Sequence, residues 1–286
     1  MGPGAAAILW ILKVAVVSFA GGVVGSIIGI GGGIIIVPIL VLVLGVPIQD
    51  AIGANIISVI AVSCGAGSVY VRNRITNVRI AMFLEVFTAA GAIVGAGVLA
   101  PLANSQILSI LFGFTLLVAL IPVLAKIAKE LPEGIQNDRM ANFLRLNSSY
   151  YDKRLERKVS YNVTGVPPST GIMFLAGAFS GLLGIGGGVL NVVAQELSMK
   201  IPTKVSTATS NFMIGVTAAS GAGIYLGRGM VTPYLVVPVA SAVMVGAFIG
   251  TRLMARMSNI RVRQVFAVVL AIIGVKMVLR GFGINY

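Results

Sequence analysis

Long apolar runs separated by short polar punctuation recur from one end of this chain to the other, over residues 5–28, 34–46, 51–71, 78–103, 106–125, 169–184, 189–199, 205–226, 231–251 and 264–279. A hydrocarbon core about 30 Å thick needs roughly 20 such residues per crossing helix. Most of the runs reach that length; 34–46 and 189–199 do not. The pattern predicts an all-α polytopic membrane protein of about ten hydrophobic segments. The first run is too long, and too directly followed by another, for a cleaved signal peptide, and reads as a retained helix. Residues 126–168 form the one extended polar stretch, broken by Pro132, Gly134 and Pro167-Pro168. The opposite charges spaced along Asp152 to Lys158 suit a short surface helix, and Tyr150-Tyr151 before it suits the headgroup interface. Three parts follow: a first transmembrane repeat over 1–125, a linker over 126–168 and a second repeat over 169–286.

The repeat is visible in the residues. At an offset of 155, Gly29-Ile30-Gly31-Gly32-Gly33 falls on Gly184-Ile185-Gly186-Gly187-Gly188, Pro47 on Pro202, Tyr70 on Tyr225, Gly91 on Gly246 and Gly95 on Gly250. One inserted residue between Pro202 and Asn211 also brings Asn55 onto Asn211. Gly91/Gly95 and Gly246/Gly250 have the spacing that lets two helices cross closely. Internal duplication of this kind is a common construction among secondary transporters.

Composition and charge sharpen the class. The chain is 57% hydrophobic and only 10% charged, against about 25% charged for a soluble domain. Its net charge of +13 would suggest nucleic acid in a soluble protein, but in a polytopic one basic residues collect in cytoplasmic loops. With five segments per half, all of the 21 basic residues except Lys13, Arg228, Lys276 and Arg280 fall on the linker's side. That split predicts an inverted repeat with a cytoplasmic linker and both termini outside. A cytoplasmic linker also disqualifies the glycosylation patterns at Asn147 and Asn162. Cys64 is the single cysteine and histidine is absent, so neither an intrachain disulfide nor a histidine-ligated metal is available. With so few acids, bases and nucleophiles, an intramembrane enzyme is not expected, and no cofactor or metal is.

The candidate chemistry sits at the glycine blocks. Glycine releases the backbone from helical geometry and allows close approach, and irregular backbone at membrane depth is tolerated only where it is buried in protein or lines a cavity. The short runs after the blocks rise only roughly 16 Å, which makes them half-helices beginning near the midplane. A half-helix N-terminus offers free N–H groups and a positive dipole end to an anion. Gly31, Gly32, Gly33, Gly186, Gly187 and Gly188 are therefore the candidate substrate-binding glycines, in two Gly-broken short-helix hairpins. A dinucleotide fingerprint is a poor alternative, because the spacing is wrong. Asn55, Thr209, Ser210 and Asn211 are candidate neutral donors; Ser206 and Thr207 read as helix N-caps, and Asn191 and Gln195 lie on the short second-half helix. Glu85 and Glu196 are the only acids within apolar runs, which makes them candidates for proton or sodium coupling.

Through the glycine blocks, and above all through Gly181-Leu182-Leu183-Gly184-Ile185-Gly186-Gly187-Gly188 with Thr207-Ala208-Thr209-Ser210-Asn211-Phe212-Met213-Ile214-Gly215-Val216-Thr217, the sequence resembles the TauE/SafE sulfite exporter family. Tyr225-Leu226-Gly227-Arg228-Gly229 and Gly246-Ala247-Phe248-Ile249-Gly250 extend the resemblance over nearly the whole chain. It departs at Gly53-Ala54-Asn55, where a small-Thr-Ser stretch is usual, and at Asn191 to Glu196, which lacks the usual proline. The resemblance implies transport of sulfite, a sulfonate or a related organosulfur anion across a prokaryotic inner membrane. The residues alone leave open an anion channel and a carrier for a non-sulfur carboxylate. Expected partners are a small anion and membrane lipid, with a proton or sodium ion at Glu85 or Glu196; nucleic acid is not among them, and a homo-oligomer is compatible with the fold.

Overall fold

The computed structural model describes residues 3–28, 31–125, 138–152, 156–254 and 259–284. Gly29-Ile30, residues 126–137 of the linker and 255–258 of the last basic loop lie outside the described residues. The chain runs α1 (Pro3–Ile28), α2 (Gly33–Leu42), α3 (Ile48–Val62), α4 (Ser68–Arg72), α5 (Val78–Val94), α6 (Ser105–Ala125), α7 (Arg139–Phe143), β1 (Ser148–Asp152), β2 (Arg157–Tyr161), α8 (Val166–Leu183), α9 (Gly188–Val193), α10 (Thr203–Gly227), α11 (Pro233–Met254) and α12 (Asn259–Gly281). Five-residue π segments continue α3 into α4 (Ser63–Gly67), extend α5 (Gly95–Leu99) and extend α9 (Ala194–Ser198). Among the described residues five helices are long and apolar enough to cross a membrane: Ala7–Ile28, Ile48–Arg72, Val78–Leu102, Val166–Leu183 and Pro233–Leu253. The protein is a multi-pass membrane protein.

Glycine sets which helices touch. A Cβ on Gly91 would collide with the carbonyl oxygen of Phe174, and one on Gly95 with that of Ala178. Both contacts advance four residues together, so α5 and α8 run in the same direction. Gly246 meets the Phe19 carbonyl and Gly250 that of Val23, so α1 and α11 also run in parallel. The α6–α12 pair is different. A Cβ on Gly113 would lie 2.7 Å from the Gly274 carbonyl oxygen, and one on Gly281 would lie 3.0 Å from that of Gln106. Here one residue number rises as the other falls, and the two helices are antiparallel. The expectation that Gly91, Gly95, Gly246 and Gly250 serve close helix crossing is met at all four. Tyr hydroxyls tie each helix pair to the next element: Tyr70 donates to the Ser26 carbonyl at 2.9 Å and Tyr225 to the Gly181 carbonyl at 2.9 Å.

The linker corrects the all-α expectation. Ser148–Asp152 and Arg157–Tyr161 form an antiparallel hairpin, with Tyr150 opposite Val159 and Asp152 opposite Arg157, where a surface helix was expected. The side chains follow a period of two: Tyr150 and Asp152 are buried while Tyr151 between them is exposed. That alternation, in residues that favour strands, outweighs the helix-like spacing of the charges. Tyr150 therefore packs inward against Tyr161, with ring centroids 6.5 Å apart, and is not an interfacial anchor. Asp152, 4% exposed, is bound to Lys204 Nζ at 2.7 Å.

This hairpin and α7 close one end of the bundle. Asn77 Nδ2 donates to the Leu146 carbonyl at 2.8 Å and to the Tyr161 hydroxyl at 2.9 Å, and Arg79 reaches the Arg145 carbonyl at 3.1 Å. With Lys204 on Asp152, the loops at 72–79, 138–165 and 198–204 gather at that same end. At the other end Arg228 caps the carbonyls of Ala96 and Gly97, both at 2.9 Å.

Candidate functional site

The two chain breaks are built by left-handed glycines. α8 ends at Gly184 (φ 64°), whose N–H donates to the Ser180 carbonyl at 2.8 Å. Gly186 (φ 72°) and Gly187 (φ 70°) then turn the chain into α9, while Gly31 (φ 66°) precedes α2. Side chains with a Cβ adopt this region at a penalty of about 1–2 kcal/mol per residue. Neither following helix can span: α2 has 10 residues, and α9 has 6 before its five-residue π continuation.

The breaks meet. A Cβ on Gly31 would lie 2.6 Å from Ile214 Cδ1 and 3.9 Å from Val59 Cγ1; one on Gly186 would collide with Val59 Cγ1 and lie 3.2 Å from Ile214 Cβ. Both glycines thus face one apolar pair, Val59 of α3 and Ile214 of α10, each 0% exposed. Asn55 bridges the breaks as well. Its amide rests directly on Gly33 Cα, its Nδ2 donates to the Gly184 carbonyl at 2.6 Å, and its Oδ1 is buried without a partner.

The polar stretch on α10 divides. Ser210 Oγ donates to the Gly188 carbonyl at 3.1 Å, so it sits on the second break as Asn55 sits on the first. Asn211 turns towards α1, donating to the Ser26 carbonyl at 3.2 Å and to Thr207 at 3.0 Å, and leaves its Oδ1 unpartnered. Thr209 is not brought to the breaks: its Oγ1 accepts the Asn77 N–H at 3.1 Å. Ser206 and Thr207 are not N-caps either, because α10 starts at Thr203 after Pro202 just as α3 starts at Ile48 after Pro47. Both helices run uninterrupted past the asparagines, so no residue is inserted there, and Ser210 rather than Asn211 is the counterpart of Asn55.

The family model described as sulfite exporter TauE/SafE matches residues 14–277. The chain belongs to the TauE/SafE family. It is 28% identical over 274 residues to the probable membrane transporter protein YunE of Bacillus subtilis (strain 168), covering 93% of this chain and 96% of that one. It is 23% identical over 270 residues to the probable membrane transporter protein YdhB of the same organism, covering 92% and 98%. No solved structure matches the chain.

In this TauE/SafE chain an open groove of about 660 Å³ runs between α3–α4 and α10, lined by Ile60, Ser63, Cys64 and Arg72 on one side and by Phe212 and Gly215 on the other. Val59, Ile214 and the glycines of the breaks do not line it, and Arg72 supplies its charge. The two embedded acids differ. Glu85 is 7% exposed and its Oε1 accepts the Thr217 hydroxyl at 2.7 Å, whereas Glu196 is half-buried on the π segment after α9. Sequence reasoning did not find Val59, Ile214 or Thr217 as partners of these groups. Val59 and Ile214 do stand at the repeat offset, which was the available signal.

Proposed function

We propose that this TauE/SafE membrane transporter carries a small anion, sulfite or a sulfonate, held between the two glycine breaks. The observation that carries the reading is the convergence of Gly31 and Gly186 on Val59 and Ile214, with Asn55 laid across both breaks. Consecutive left-handed and right-handed residues turn successive N–H groups towards one point, a concavity suited to anions. The turn from Gly187 into α9 is of this kind. At the start of α2 the N–H groups of Gly33, Ile35 and Ile36 donate to the Gly31 and Gly32 carbonyls, which among the described residues leaves the Ile34 N–H as the donor this end offers. Asn55 and Ser210 lie against these segments, Asn211 holds the Ser26 carbonyl near the end of α1, and Gly32, Gly33, Gly187 and Gly188 complete the breaks. Thr209 holds the Asn77 loop instead.

Transport proceeds by alternating access of two inverted repeats, 1–125 and 169–286, joined by a cytoplasmic linker over 126–168, in ten hydrophobic segments with both termini outside. Three observations support this arrangement. Glycine contacts recur at the 155-residue offset, α6 packs antiparallel on its counterpart α12, and the basic loops gather at one end. Val59 and Ile214 fill the space between the breaks, so the anion reaches its site when these two side chains part. The prokaryotic inner membrane is the setting the family implies. A thermal-shift screen of purified protein against sulfite, thiosulfate, sulfonates, carboxylates and neutral analogues tests the substrate class, because bound ligand stabilises by mass action. Stabilisation by carboxylates alone, or by no anion, would overturn it. Flux that saturates and shows counterflow separates the carrier from a channel.

A further inference from the structure

The two halves share a frame but not its polar contents. At the 155-residue offset Glu85, Ser180, Asn191, Gln195 and Thr217 correspond to Ala240, Gly25, Ile36, Leu40 and Val62. One of the two repeat-related sets, drawn from both repeats, holds a carboxylate, two amides and two hydroxyls where the other is wholly apolar. The apolar counterparts Ile36 and Leu40 are themselves fully buried, so the frame does not need polar groups at these places.

The five side chains line one buried tract where α5, α8, α9 with its π extension, and α10 pack together. Thr217 on α10 donates to Glu85 Oε1 on α5 at 2.7 Å. One turn earlier on α10, Met213 Sδ accepts Gln195 Nε2 at 3.5 Å. Asn191 lies one turn before Gln195, and its Oδ1 and the Ser180 Cβ lie 3.4 and 3.3 Å from one point above Gly187. Ser180 is 1% exposed, and Asn191, Gln195 and Thr217 are 0% exposed. Glu85 Oε2, Ser180 Oγ, Asn191 Oδ1 and Gln195 Oε1 are all buried without a hydrogen-bond partner.

Charge compensation is missing too. No cation among the described residues pairs with Glu85: Lys204 is committed to Asp152, and Arg228 to the carbonyls of Ala96 and Gly97. α8 carries no charged residue. An intramembrane carboxylate is costly unless it is paired or serves an ion pathway. Oxygen-only donors with a single carboxylate suit a hard cation of low charge. A proton on Glu85 would satisfy one oxygen and leave both amides as they are.

We propose that Glu85, Ser180, Asn191, Gln195 and Thr217 form a sodium-ion site at one of the two repeat-related places in the molecule. It borders the second break at Gly187, but the argument for it does not depend on the anion reading.

The test is thermal unfolding of the full-length protein in detergent without sulfite, titrated with NaCl, KCl or choline chloride at constant ionic strength and at two pH values. Sodium raises Tm saturably, and potassium and choline do not. In Glu85→Gln and Gln195→Leu the half-saturating sodium concentration rises by at least about tenfold, the loss of roughly one strong contact. In choline alone Glu85→Gln melts no lower than wild type, because a neutral amide replaces an uncompensated carboxylate; a merely structural Glu85 would give the opposite. The variant Glu85→Ala/Asn191→Ile/Gln195→Leu, which takes the apolar counterparts Ala240, Ile36 and Leu40 at three of the five positions, folds and ignores sodium. Equal response to sodium and potassium, a sodium response that survives in folded Glu85→Gln, or a response to pH alone would overturn the proposal. Sulfite binding measured in choline salts is a separate readout, so either site can fail while the other stands.

Discussion

Placing alanine at Gly186 and at Gly187 separates backbone strain from collision at the junction of the breaks. Both positions are left-handed, at φ 72° and 70°, and each alanine carries a strain of about 1–2 kcal/mol. At Gly187 the new Cβ meets nothing closer than the Ser180 Cβ at 3.3 Å and the Ala176 carbonyl oxygen at 3.4 Å, so strain is nearly the whole effect. At Gly186 it collides with Val59 Cγ1, and such overpacking adds about 1–3 kcal/mol. Gly186→Ala is therefore the more destabilised by about 1–3 kcal/mol. Val59→Ala removes the obstructing methyl groups, so adding it to Gly186→Ala recovers most of that difference and adding it to Gly187→Ala recovers none. Chemical unfolding in micelles, arranged as two double-mutant cycles, measures both couplings. Gly186→Ala no less stable than Gly187→Ala, or a Gly186/Val59 cycle additive within about 0.5 kcal/mol, would refute the placement of Gly186 against Val59.

Tyr70→Phe and Tyr225→Phe remove buried hydrogen bonds to the Ser26 carbonyl of α1 and the Gly181 carbonyl of α8 and each lowers stability by about 1–2 kcal/mol, read from the same unfolding curves. Lys204→Met removes the 2.7 Å ion pair from buried Asp152, which keeps the Tyr150 hydroxyl at 3.4 Å. Because Lys204 is itself 21% exposed, the loss is about 1–3 kcal/mol rather than the full buried-pair value, and limited proteolysis of the linker accelerates with it. Gly91→Val and Gly246→Val, which strike the equivalent carbonyls of Phe174 and Phe19, impair folding to the same degree. Yields and melting temperatures that differ widely between them would contradict the matched helix crossings. In a Cys64→Ser background, a single cysteine at Ser149 is shielded from impermeant reagents in intact cells, and external labelling there would defeat the cytoplasmic linker.

The glycine breaks were legible because their chemistry is local: a run of glycines inside apolar sequence has few uses other than positive φ and close approach, and both occur. The helix crossings at Gly91, Gly95, Gly246 and Gly250 were legible for the same reason. The hairpin at 148–161 was not, since its charges fall at spacings that also suit a helix, and only the burial of Tyr150 and Asp152 separates the two. Matching by identity alone paired Asn55 with Asn211, but the uninterrupted helices after Pro47 and Pro202 pair it with Ser210. Contacts between distant segments were beyond reach. Glu85 and Thr217 are 132 residues apart, and Val59 and Ile214 are two aliphatic residues among many.

The central claim is an anion bound between the two breaks, and the most direct measurement is a structure solved with selenite, whose heavier atom marks the place of sulfite. A selenium peak between Gly31 and Gly186, within hydrogen-bonding reach of backbone N–H groups at both breaks and of the Asn55 amide, with the Val59 and Ile214 side chains displaced, is the expected result. A fully occupied peak elsewhere in the molecule, with Val59 and Ile214 still packed between the breaks, would contradict it.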